Sequence, residues 1–242
     1  MIGSEGHGLG LAIFPLGAAA VAALFGVRLG QRFAGRRRPY EAMWSVAMFM
    51  FAAASLAAFL GVARGWTAPA YRVYWLLGAV LNVPYLAQGE LYLLLRGGRN
   101  VANAALALLL VVTAAASLIA ATGSISAAEL SKALPLGKDA WVTGLAYQLR
   151  WLSWIGYGAL IGGTVWSVRS MRGRPELRDR AVGILGIAGG ATIVAIGSGV
   201  GAGFGVVPLF AVGLAAGIAL MFWGFLRADR PALAGSRSPA VE

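Results

Sequence analysis

Long apolar stretches broken by short polar connectors dominate the chain. Seven of them run from Leu9 to Val27, Ala42 to Val62, Tyr74 to Leu95, Val101 to Ala121, about Tyr147 to Val168, Ala181 to Val200 and Phe204 to Leu226. Each is close to the ~20 residues that an α-helix needs to cross a hydrocarbon core of roughly 30 Å. The pattern predicts an all-α, polytopic integral membrane protein with seven transmembrane helices. Residues 1–226 then form a single membrane domain, and residues 227–242 a disordered cytoplasmic tail. The longest internal connector, Thr122 to about Ala146, contains Glu129, Lys132, Lys138 and Asp139. Within it, Ile125–Leu134 reads as a short amphipathic surface helix serving as a spacer, or as a cap or gate if it lies over an opening.

Composition supports the pattern. Of 242 residues, 59% are hydrophobic and 12% charged, against about 25% charged in soluble domains. Too few charges remain to cover a water-soluble surface, which excludes a soluble enzyme. Cysteine is absent and His7 is the one histidine. Disulfides, thiolate metal sites and paired haem ligands are therefore excluded, and neither a metal nor another cofactor is expected.

The net charge of +11 is distributed unevenly. One set of connectors holds Arg28, Arg32, Arg36, Arg37, Arg38, Arg96, Arg99, Arg169, Arg172, Arg174, Arg178, Arg180, Arg227, Arg230 and Arg237. The other holds Arg64, Arg72, Lys132 and Lys138, with Arg150 at the outer end of the fifth run. Basic residues in short loops stay on the cytoplasmic side, so the amino end is expected outside and the carboxyl end inside a plasma membrane of prokaryotic type. The expected partners are membrane lipids, anionic on the cytoplasmic side, and a second copy or another membrane subunit. No aromatic interleaving accompanies the arginines, and nucleic acid is not expected. Met1–Gly8 carries Glu5 and no Lys or Arg, unlike a signal peptide, so the first run is expected to remain a span.

A faint repeat relates residues 9–95 to 147–226 through the helix at 101–121. Pro39 and Pro175 open equivalent spans, and Gly61 and Gly197 close them. This three-plus-one-plus-three layout resembles the SWEET sugar-carrier class in helix count and orientation alone. The proline–glutamine dipeptides that mark that class do not occur here, so the likeness implies a layout and no substrate.

Glycine numbers 35. The pairs Gly158 and Gly162, Gly186 and Gly190, and Gly213 and Gly217 repeat at four residues, a spacing that predicts close helix packing and a hinge in the sixth and seventh spans. Trp66, Tyr71, Tyr74, Trp75, Trp141, Trp151 and Trp154 are expected in an outer aromatic belt, and Trp44, Trp166 and Trp223 in an inner one.

Glu90 is the one acidic residue inside an apolar run. It lies roughly 7 Å from the inner end of the third span at about 1.5 Å per residue, and intramembrane carboxylates mark proton, ion or substrate paths. Asn82, Tyr85, Gln88 and Tyr92 extend it into a polar seam, and Pro84 leaves the carbonyl near Val80 free for another partner. Arg150 is a second candidate for that path, read at the membrane edge. Glu41, Asn100 and Asn103 read as helix caps, with the inner arginines as Glu41's alternative.

No lysine lies in the last span for a Schiff base, and no phosphate loop or zinc motif occurs. The favoured reading is a small-solute or ion transporter or channel using the polar seam. The alternatives are a noncatalytic scaffold, sensor or complex subunit and, last, a lipid-modifying enzyme, so an enzyme is the less favoured class.

Overall fold

The computed structural model describes residues 4–95, 98–174, 177–201 and 204–228, with side-chain surroundings from residue 10 onward. Arg96, Pro175, Glu176, Ala202, Gly203 and the tail with Arg230 and Arg237 lie outside the described residues, as do the side chains of Glu5 and His7.

The described chain is all-α. Helix α1 spans Ser4–Arg36 and α2 Pro39–Arg64. Helix α3 (Ala68–Val73) runs without a break into a π-helical stretch, Tyr74–Leu81, and then into α4 (Asn82–Leu94). Helix α5 spans Arg99–Thr122. Three short helices follow, α6 (Ala127–Leu130), α7 (Gly137–Ala140) and α8 (Gly144–Gln148). Helix α9 covers Trp151–Ser170, and α10 (Arg178–Ile196) ends in a second π-helical turn, Gly197–Gly201, before α11 (Val207–Ala228).

Five helical segments are long and apolar enough to cross a membrane: Gly10–Arg36, Pro39–Arg64, Arg99–Thr122, Arg178–Gly201 and Val207–Ala228. The third and fifth apolar runs are helical as well, with differences that have physical causes. The third is divided by the π stretch just before Pro84, which has no N–H to donate back into the helix. The fifth begins at Trp151 rather than Tyr147, and its Ser, Gly, Tyr and Trp residues dilute its apolar character.

Six helices form a closed ring in the order α1, α2, α4, α9, α10, α11, each packed on the next and α11 packed back on α1. Helix α5 stands outside it. Of its side chains only Ala102, Ala116 and Ala120 are buried, while Val101, Leu108, Val111 and Leu118 are exposed. Ile13, Leu24, Ile155, Trp166 and Phe204 add to an apolar outer surface, as expected where lipid replaces water. The tightest seam joins α10 to α11. A methyl group at Gly190 would meet Gly217 O and Met221, and one at Gly213 would meet the backbone of Gly197. Gly158 and Gly162, by contrast, meet nothing within 4 Å. The packed face of α9 is the one carrying Gly156 and Gly163, so identical four-residue spacing on this helix points away from its neighbours.

The connectors gather at two ends. At the arginine-poor end, Trp66 Nε1 donates to Ala133 O at 3.0 Å, Arg72 reaches Ala120 O and Gly123 O, and Trp75 Nε1 donates to Ala146 O. The segment 123–150 is therefore a docked cap rather than a free spacer, and helix within 125–134 is confined to Ala127–Leu130. At the opposite end, Arg32 pairs with the fully buried Glu41 at 3.3 Å, and Arg227 with Asp179 at 2.9 Å. Glu41 thus pairs with an arginine, and no side chain caps α2.

The aromatic residues divide in a way that spacing alone did not distinguish. Trp151, Trp154, Trp166 and Trp223 are exposed as belt residues would be. Trp66 and Trp75 are buried under the cap and Trp141 within it, together with Tyr71, and each of the three indoles packs against a glycine, Gly61, Gly137 and Gly123 respectively. Trp44 is half-buried against Gly89.

Candidate functional site

Glu90 lies on α4, inside the ring and 4% exposed. Two glycines make room for it. Gly89 lets the Trp44 indole lie against α4, and that indole donates from Nε1 to Leu86 O at 3.0 Å. Gly163 on α9 faces Glu90 so closely that a Cβ there would stand 2.6 Å from Glu90 Cγ. One turn along, Ser167 Oγ donates to Glu90 Oε1 at 3.3 Å.

The other acids packed at helix ends are committed. Glu41, Asp179 and Glu129 each have a basic partner within 4 Å, Arg32, Arg227 and Lys132 respectively. Glu90 has no basic group at ion-pair distance among the described residues, although Arg180 on the first turn of α10 is within electrostatic reach. The carboxyl is therefore hydrogen-bonded to a hydroxyl but not locked into an ion pair with any described residue.

Beside it is a hollow of about 20 Å³, lined by Phe25 of α1, Trp44 and Met48 of α2, Leu86 and Glu90 of α4, Leu160 and Thr164 of α9, Ile184 and Ile187 of α10, and Met221 of α11. Every helix of the ring contributes. The volume suits one water molecule and is too small for an organic solute.

The other seam residues lie on several faces of the third helical run. Asn82 Nδ2 donates to Ala47 O on α2 at 2.6 Å. Tyr85, Gln88 and Tyr92 face α5, meeting Thr113 Oγ1 at 3.2 Å, Ala102 O at 2.7 Å and Asn103 Oδ1 at 2.8 Å. Tyr85, Gln88 and Tyr92 follow one helical face, whereas Glu90, about 100° or more away on the wheel, turns to α9. Arg150 precedes α9 at the arginine-poor end, its guanidinium 3.8 Å over the Tyr147 ring, and it does not meet the Glu90 hollow.

On α9 the sequence reading chose Gly158 and Gly162, which face open space, rather than the packed face. Ser153, Gly156, Leu160, Gly163 and Ser167 form its face toward α4, at alternating three- and four-residue steps. Gly156 packs on Pro84, and Ser153 Oγ donates to Ala79 O at 2.6 Å and Val80 O at 3.1 Å, supplying the donor that Pro84 removes. A 3.5-residue period of small side chains was the available signal. Compared with protein-family models, curated proteins and solved structures, the chain matches none.

Proposed function

We propose that the chain is a seven-span protein of the cytoplasmic membrane, amino end outside, that passes protons through Glu90. In this arrangement α3 to α4 and α9 supply the two crossings beyond the five most apolar helices, and the cap over 123–150 faces outward. The arginine distribution supports that orientation.

The observation that carries the proposal is the convergence of six helices on one carboxyl, without an ion-pair partner among the described residues, beside a water-sized hollow. A passage for sugars or other polar solutes would need a larger and more polar space. A proton needs only a group that can change charge and a water to hand it on. The hinge for alternate exposure lies in the π turn Gly197–Gly201 and the π stretch Tyr74–Leu81.

Proteoliposomes loaded with a pH-sensitive dye test this directly. An imposed potassium diffusion potential drives internal pH change with the wild-type protein, and Glu90→Gln lowers the rate by at least about ten-fold, as for loss of a proton-transfer group. Equal rates in the two proteins overturn the proposal. A second reading, a subunit of a membrane complex, is favoured by the bare outer face of α5. It predicts Glu90-independent behaviour and co-purification of a partner that is lost on placing charge at Val111.

A further inference from the structure

Hydroxyl side chains on the long helices share a habit. Thr113, Thr122, Thr192 and Ser198 each donate to the carbonyl four residues back, that of Leu109, Leu118, Ala188 and Val194 respectively, at 2.7–2.8 Å. Where water is scarce, such a bond satisfies the hydroxyl within its own helix. Thr164 on α9 departs from it. The residue is 5% exposed, and no hydrogen bond joins its hydroxyl to Leu160 O or to any other described residue. A buried hydroxyl without a partner is costly, and a partner other than protein accounts for one that stays inside a bundle.

Thr164 lines the hollow beside Glu90. On α9 it lies between Leu160, also in the lining, and Ser167, the donor to Glu90, at steps of four and three residues that keep all three on one face. The other polar groups of the lining are partly committed. The Trp44 N–H donates to Leu86 O, and Glu90 Oε1 accepts from Ser167. Bonding capacity remains at two places, the Thr164 hydroxyl and Glu90 Oε2, since the rest of the lining is hydrocarbon, aromatic ring or thioether. A buried water requires two to four polar partners and about 10–15 Å³ of space. A hollow of about 20 Å³ with these two groups on its wall meets both conditions.

We propose that Thr164 and Glu90 hold one water molecule in this hollow, and that Thr164 is the residue positioning that water to take the proton of Glu90. The proposal rests on the reading of Glu90 as a proton site. A threonine hydroxyl both donates and accepts, and this one is not tied to Leu160 O. It can accept from the water while the protonated carboxyl donates to that water, and donate to the water while the water donates to the carboxylate. Both charge states of Glu90 are thereby served by one water. In the transfer Glu90 Oε2 loses a proton, the water oxygen gains one and gives one of its own onward, and no bond between heavy atoms changes.

Thr164→Val removes the hydroxyl with little change of shape, and Thr164→Ser keeps it. In the dye-loaded proteoliposomes Thr164→Val should lower flux about ten-fold, as for a misplaced proton-transfer partner, and Thr164→Ser should retain most of it. Detergent melts establish that both variants are folded. A second measurement needs no substitution at Thr164. Infrared difference spectra of the purified wild-type protein between acidic and alkaline buffer should contain a water O–H stretching band that shifts when the solvent is water labelled with heavy oxygen. That band should be lost in Thr164→Val and in Glu90→Gln. Wild-type flux in folded Thr164→Val, or a wild-type spectrum without an isotope-sensitive water band, overturns the proposal. Flux that still falls in Glu90→Gln would then leave the proton reading intact. Flux that ignores Glu90, alongside a water band that Thr164→Val removes, would instead remove the proton reading and retain the bound water.

Discussion

A methyl group at Gly163 would run into Glu90 first and Leu94 next, whereas its neighbour Gly162 faces open space. Gly163→Ala should therefore displace the carboxyl, lower proton flux and cost about 1–3 kcal/mol, the usual price of overpacking. Gly162→Ala should leave flux intact and raise helix stability by about 0.5–1 kcal/mol. Thermal melts in detergent, run with the flux assay, distinguish the two, and equal effects would contradict the placement of α9. Glu129 offers a test outside the bundle. Burial favours its neutral form, but the hydrogen bond and charge of Lys132 at 2.6 Å, the Leu136 N–H and the more distant Lys138 outweigh burial and hold its carboxyl below the ordinary range. A depressed value means that its contribution is present above the unfolded value, roughly pH 4, and is lost as pH falls through the folded one. Amide exchange in 126–136 should accelerate on acidification below that point, and Glu129→Gln should abolish the pH step. At this scale the sequence showed Glu90 plainly, because one acid in seven apolar runs is conspicuous. Its partners were hidden, since Gly163 and Ser167 become informative only when α9 is set against α4.

Elements are held by groups that look minor in isolation. Pro84 frees the carbonyl of Val80, and Ser153 Oγ from α9 fills the gap. Ser153→Ala should lower stability by about 1–3 kcal/mol by leaving buried carbonyls short of a donor. Pro84→Ala returns an N–H to the helix, so the double variant should lose less than the single losses combined. A double-mutant cycle with additive losses would separate the two features. Helix existence was legible from apolar run length, and freeing of the Val80 carbonyl from the proline. The π stretch Tyr74–Leu81 was not, because its hydrogen-bonding pattern answers to contacts with α2 and α9. Nor could spacing divide the tryptophans, since Trp44, Trp75 and Trp141 each pack against a glycine far from them in sequence.

For the whole molecule, six helices enclose one carboxyl and a seventh stands beside them, with arginines crowded at one end. That arrangement places Glu90 in the membrane only if the chain crosses seven times in the proposed sense, so topology is the most direct test of the central claim. The chain has no cysteine, and single cysteines can be placed at Ser131 in the cap, at Arg37 between α1 and α2, and at Arg172 between α9 and α10. In intact cells a membrane-impermeant maleimide should label Ser131→Cys, and should reach Arg37→Cys and Arg172→Cys only after permeabilisation. Labelling of all three from the same side would contradict the crossing pattern and remove Glu90 from the bilayer interior.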